Sequence, residues 1–185
     1  MWQFRLALTF LLLLGGVASA QQPSATLRIK EAEVRLPDGV QPGQYRRIIQ
    51  PFENWTLICD ENLQKKTRVC NVTQAIIDQS NRMVFSWSVA ATQDGKPYMI
   101  VRTLPGIGDK GTVVLTILDD RAPVRVSVDG CNDIVCVGTV PIGPRFKPQI
   151  DKGATVGIFY KTMSGEAIDI TAPLAGISSA LKAIE

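Results

Sequence analysis

The sequence predicts a mainly β fold: a single antiparallel domain, sandwich- or barrel-like, with a short C-terminal α-helix. Short runs of alternating apolar and polar residues recur from Trp55 to Thr171. Turn formers such as Asp94-Gly95, Asp129-Gly130 and Ser164-Gly165 stand between them. Residues 173–184 then change to the spacing of an amphipathic helix. Many short strands at regular intervals, punctuated by turn signals, are the pattern of a sandwich or barrel.

The chain opens with a secretory signal over Met1–Ala20. Arg5 supplies its charge, Leu6–Leu14 its apolar run, and Ala18-Ser19-Ala20 its small-residue cleavage pattern. The run is shorter than the roughly 20 residues a spanning helix needs, and no cysteine stands at the cut to carry a lipid. Nothing later in the chain is apolar enough to cross a membrane. Residues 21–51 read as an N-terminal extension with a loop. Thr26–Leu36 alternates weakly, as an edge strand would, and LPDGVQPGQ is rich in turn formers. Tyr45-Arg46-Arg47 makes a small basic spot, either a solvated face or a contact for an acidic partner or lipid headgroup. Residues 52–185 form the β domain.

Within that domain, Asn54–Gln74 organises the rest as strand, charged turn and strand. Trp55, Leu57 and Cys59 share one face of the first strand, and Cys70 and Val72 one face of the second. Export to an oxidising compartment bears directly on the thiols. Cys59, Cys70, Cys131 and Cys136 allow three pairings, among which sequence alone does not choose. The spacings favour the local pairs Cys59–Cys70 and Cys131–Cys136. Zinc is the other use for four thiolates, but paired C-x₂-C knuckles are missing.

From Arg82 onward the β signal strengthens. Met83, Phe85, Trp87 and Val89 alternate with Val84, Ser86 and Ser88, which places the first set toward the core. Asp94-Gly95 turns the chain into a returning strand, Tyr98–Leu104. Thr112–Leu118 is apolar on both sides, as a strand covered on each face would be. Asp119-Asp120 connects it to a strand carrying Val124, Val126 and Val128. Asp129-Gly130 then turns straight into Cys131, and Ile134–Val140 follows. Pro144–Lys152 has room for one helical turn. Gly153–Lys161 and Glu166–Thr171 flank the Ser164-Gly165 hairpin. In Pro173–Ile184, Pro173 suits the first turn of a helix, and Leu174, Ile177, Leu181 and Ile184 fall on one face.

Composition excludes several functions. With no histidine, Ser-His-Asp and Cys-His catalysis and imidazole metal sites are ruled out. A formal charge of +3, or +2 once Arg5 leaves with the signal, implies no strong attraction to nucleic acid. Gly106-Ile107-Gly108-Asp109-Lys110-Gly111 matches the dinucleotide fingerprint by letter, but strand-like TVVLTIL follows where a helix must hold the pyrophosphate. Asp119-Asp120 reads as a solvated turn, and the C-x₄-C of Cys131 and Cys136 as structural. Asn54-Trp55-Thr56 and Asn71-Val72-Thr73 fit the N-glycosylation pattern, which carries meaning only in a eukaryotic secretory pathway.

Trp55-x₃-Cys59, Cys70-x₃-Gln74, the Cys131/Cys136 pair and the closing Leu174-Ala175-Gly176-Ile177-x₂-Ala180-Leu181 together resemble the invasion-associated locus B proteins of alphaproteobacteria. The resemblance runs from about Trp55 to the C-terminus. The family usually has an aromatic residue where Ile177 stands. The resemblance implies a small exported β-sandwich protein, periplasmic, secreted or associated with the outer membrane, and linked to host-cell entry. It brings no catalytic set, so no catalytic, cofactor-binding or metal-ligating residues are assigned, and no cofactor is expected. The expected activity is binding of an envelope or host-surface protein, with peripheral membrane contact as a further role. A thiol oxidoreductase or a histidine-free hydrolase is the alternative.

Overall fold

The computed structural model describes residues 30, 34–91, 96–117 and 122–184. The signal over Met1–Ala20, the Asp94-Gly95 turn and Asp119-Asp120 lie outside them, as does most of Thr26–Leu36. Lys30, Val34 and Arg35 carry no regular structure, and the elements belong to the unit Leu36–Glu185. The turn-rich stretch Leu36–Gln44 is a loop in which Gly39 and Gly43 take left-handed backbone, φ 75° and 79°.

Ten strands follow among the described residues: β1 (Tyr45–Phe52), β2 (Trp55–Asn62), β3 (Thr67–Ile77), β4 (Met83–Ala91), β5 (Pro97–Thr103), β6 (Thr112–Ile117), β7 (Val124–Cys131), β8 (Cys136–Pro141), β9 (Thr155–Lys161) and β10 (Ala167–Pro173). A helix α1 (Lys147–Lys152) precedes β9, and α2 (Ile177–Lys182) follows β10. No helix among the described residues is long and apolar enough to cross a membrane. The strands make one antiparallel sheet in the order β1-β2-β3-β4-β5-β8-β7-β6-β9-β10. The first five form a meander. β8 then inserts beside β5, and β6 lies between β7 and β9.

The sheet curls so that its C-terminal strands return over β3 and β4. Trp55, Leu57 and Cys59 of β2 and Val72 of β3 are buried, as their alternation predicts. Trp55 stacks on Trp87 with ring centroids 5.6 Å apart, and Phe85 meets Trp87 edge-on at 5.5 Å. Polar side chains tie the two ends of the curl together. The Trp87 indole N–H donates to Gln74 Oε1 at 2.8 Å, and Gln74 Nε2 donates to the Pro173 carbonyl at 3.1 Å. The buried Tyr160 hydroxyl of β9 donates to the Val84 carbonyl of β4 at 2.6 Å. These bonds satisfy groups that would otherwise be buried without partners.

Several elements differ from the sequence reading. β1 lies in the segment read as an extension, yet pairs with β2 along its whole length. Only Tyr45, Ile48 and Phe52 of β1 are even half-buried, which is why its alternation is faint. On β4, Met83 is only half-buried, whereas Ser86 and Ser88 are buried with Phe85, Trp87 and Val89. Thr73 and Ile100 stand opposite Ser88, and Arg102 donates to its hydroxyl at 2.8 Å, so longer neighbours roof these small residues. β6 is the converse. Val113, Leu115 and Ile117 are buried, but Thr116 is exposed, so only one face is covered. Asp129-Gly130 is a bulge within β7, and the turn comes later. Asn132 Oδ1 accepts the amides of Ile134 and Val135 at 2.9 and 2.8 Å, an Asx-type turn. Pro173 ends β10 and does not start the helix. α2 waits for Gly176 (φ 94°), where a Cβ would stand 2.4 Å from the Phe52 carbonyl oxygen. Leu174, Ile177 and Ala180 are buried there, and α2 packs on β1, β2 and β3.

The two stacked tryptophans differ in one respect. Among the described residues the Trp55 indole N–H is buried without a partner, whereas that of Trp87 holds Gln74. Trp87→Phe should therefore cost about 1–3 kcal/mol more stability than Trp55→Phe, because only the former orphans a buried amide oxygen. Urea-unfolding midpoints of the two variants check this, and equal losses would show that the Gln74 bridge does not hold the curl.

Candidate functional site

The four cysteines predicted as site residues sit on adjacent strands. Cys59 of β2 and Cys70 of β3 are register partners with Cα atoms 4.1 Å apart, and their sulfurs lie at disulfide distance. Cys131 and Cys136 flank the Asn132–Val135 turn, with Cα atoms 4.0 Å apart and sulfurs likewise at disulfide distance. Cys59 and Cys136 are buried, and Cys70 and Cys131 are half-buried. Cys59 and Cys70 sit midway along the paired length of β2 and β3, and Cys131 and Cys136 close the β7–β8 ladder beside its turn; at either place a covalent link would hold the strand register. Among the described residues no cluster of three or more histidine, cysteine, aspartate or glutamate side chains is arranged to hold a metal.

The basic spot at Tyr45-Arg46-Arg47 is not a free positive patch. Arg47 makes a bidentate pair with Asp60 of the neighbouring strand, Nε to Oδ1 at 2.6 Å and Nη2 to Oδ2 at 3.0 Å. The Tyr45 hydroxyl donates to the same Oδ1, and the Arg47 guanidinium lies over the Tyr45 ring, 5.9 Å from its centroid. Arg46 Nε bonds Glu61 at 2.5 Å, with Arg68 Nε 3.7 Å from the other carboxylate oxygen. The Arg47 hydrogen bonds lower the Asp60 carboxyl below its usual range; desolvation opposes them and the Tyr45 hydroxyl adds to them. The Tyr45 phenol is raised above its usual value, chiefly by its hydrogen bond to Asp60.

Strand alternation places this network beside an apolar patch. Cys59, Leu57 and Trp55 face the core, so Asp60 and Ile58 face outward with their partners Arg47 and Ile49 of β1. Val69 of β3 stands opposite Asp60 on the same outer side. Ile49 is 64% exposed and Val69 71% exposed, with half-buried Ile58 between them. The result is a face carrying exposed aliphatic side chains beside a Tyr–Arg–Asp network. The sequence reading passed over Ile49, Ile58 and Val69; the signal lay in apolar residues whose period-2 phase opposes that of the cysteines.

Other motifs find quieter places. Pro105–Ile107 is a 3-10 turn with Ile107 buried, and a Cβ on Gly111 would stand 2.3 Å from its side chain. The glycine-rich stretch therefore packs against its own turn and leads into β6, with no helix to receive a phosphate. Asn54 is exposed, its amide 3.5 Å from the Ala175 carbonyl, and Asn71 is half-buried within β3. A cleft of about 300 Å³ follows the seam between β3 and β10, lined by Gln74, Ile76 and Pro173 among others. A second cleft of about 280 Å³ lies between the two helices and the ends of β4, β5 and β8.

The family model described as Invasion associated locus B (IalB) protein matches residues 55–185. The fold is similar to the crystal structure of invasion associated protein b from Bartonella henselae, with a TM-score of 0.61 and 18% identity. That similarity covers 74% of this chain and 95% of the other. No curated protein matches the chain.

The lowered Asp60 carboxyl sets a pH dependence. A folded-state value below the unfolded one makes the network's contribution complete above the ordinary carboxylate range and lost as pH falls through the lowered value. Hydrogen-exchange protection of β1 amides, corrected for intrinsic rates, should fall on acidification through that range. It should also fall in Asp60→Asn at neutral pH. Protection unchanged in both cases would separate the network from the docking of β1.

Proposed function

Starting from the premise that the chain belongs to the invasion associated locus B family, we propose that it is an exported envelope or secreted protein that works by binding a partner. The family is not a known enzyme family. The observation that carries the reading is the outer face of β1–β3, where exposed Ile49 and Val69 adjoin the Tyr45–Arg47–Asp60 network. Aliphatic side chains beside aromatic and guanidinium groups suit recognition of a protein surface, because arginine and aromatic residues are enriched at interface cores. The partner is an envelope or host-surface protein. Host-cell invasion, the association named for the Bartonella protein, or envelope integrity is the role served.

The cysteines support export. In an oxidising compartment Cys59–Cys70 and Cys131–Cys136 form bridges that hold their hairpins, and the chain is cut after Ala20. Burial of Cys59 and Cys136 argues for a structural role, since catalytic thiols need access and a depressed pKa. The reading places the mature protein in the periplasm, in the medium or at the outer membrane. Intact mass of the envelope fraction should give a chain beginning at Gln21, and non-reducing peptide maps should give the two local links. Cys59→Ser with Cys70→Ser should lower stability by about 2–5 kcal/mol while any folded protein keeps its partner. A stable double variant that loses only its binding would make the bridge functional and this assignment wrong.

Ile49→Asp with Val69→Asp tests the surface itself. Both positions are exposed, so the fold should hold, as near-wild-type unfolding would show. Pull-downs from cross-linked envelope should recover a protein with wild type that is lost with the double variant and from a deletion strain. Recovery of the same protein by the variant would move the interface elsewhere.

A further inference from the structure

The cleft between α1 and α2 lies far along the chain from the outer face of β1 and has a different chemistry. Val89, Pro97, Ile142, Ile150 and Leu181 supply its walls. Ser178 is also there, but its hydroxyl is directed to the Ile150 carbonyl at 3.4 Å. The walls therefore present hydrocarbon. Polar character gathers in Lys147, Asp151 and Lys182. Lys147 pairs with Asp151 at 3.4 Å as a helical i,i+4 couple whose side chains are 73% and 57% exposed. Pairs so exposed are worth little and are readily exchanged. Lys182 has no ion-pair partner among the described residues. Among the described residues, two ammonium groups against one carboxylate leave the lining with an excess positive charge.

Apolar walls and a cationic mouth together specify an amphiphile with an anionic head. The volume, about 280 Å³, is just below the roughly 300–1,000 Å³ of sites for drug-sized ligands. It suits one slender chain better than a ring system or a pair of chains. We propose that the cleft binds a single fatty-acid anion of medium length. Its hydrocarbon lies against Ile142, Ile150 and Leu181, and its carboxylate meets Lys147 and Lys182. No bond is made or broken; the ligand enters by apolar burial and is oriented by charge. The proposal does not depend on the protein partner of the β1–β3 face.

Isothermal titration of the protein purified from cells expressing the full chain, with octanoate, decanoate and decanol below their aggregation limits, tests the site. Decanoate should bind saturably. Each methylene between octanoate and decanoate should tighten binding about fourfold, equivalent to about 0.8 kcal/mol. The neutral alcohol should bind more weakly. Lys147→Gln with Lys182→Gln, both exposed positions, should weaken decanoate about tenfold and leave decanol unchanged. Amide shifts on titration should cluster around Ile142, Ile150 and Leu181. Absence of saturable binding to the wild type, or shifts centred elsewhere, would overturn the site. Equal decanoate affinity in the double variant would overturn the role of charge.

Discussion

A short relay of hydrogen bonds, buried from Trp87 to Gln74 and half-buried from Gln74 to Pro173, ties the curled sheet across its core. A primary amide suits this position, because it accepts at one end and donates at the other. A carboxylate could not donate to the carbonyl, and an aliphatic residue would leave both neighbours unpaired. Pro173 contributes equally, since its carbonyl remains available while its ring ends β10. With β10 held over β3, the tryptophan stack and the side chains of β6 and β9 close into one core. Tyr160 repeats the device one strand further on, bonding the Val84 carbonyl.

The β2–β3 hairpin divides its labour by face. Inward it sends Trp55, Leu57, Cys59, Cys70 and Val72; outward it sends Ile58, Asp60 and Val69. The same alternation that builds the core thus fixes the spacing of the outer face. A cross-strand link at Cys59 and Cys70 therefore acts on both sides of the sheet. A slip of register would exchange core for surface along the whole hairpin.

Alternation made β2 and β3 legible because each has one dry side and one wet side. It misleads where coverage is decided by neighbours. Ser86 and Ser88 read as solvent-facing, yet are roofed by longer residues on β3 and β5; Val114 reads as buried, yet its side of β6 is open enough to expose Thr116. β1 escaped notice because an edge strand buries too little to leave a period. The cysteine spacing and the glycine-rich decoy were readable locally. The outer face was not, because it assembles residues from three strands whose register had to be known first. The α1–α2 cleft is less legible still, since its walls come from positions 89, 97, 142, 150 and 181.

An open sheet leaves two margins where a foreign strand can add itself, and among the described residues these are β1 and β10. On β1, Arg46 and Arg47 point to opposite faces, each held by a carboxylate of β2, so an approaching chain meets a charged pair on either side. Pro51, two residues beyond Ile49, further interrupts the run of backbone amides. At the other margin, Pro173 closes β10 and its carbonyl is already taken by Gln74. Both borders are thus poor templates for templated growth into fibres. A protein built this way can expose aliphatic side chains at its rim without offering its backbone for strand addition.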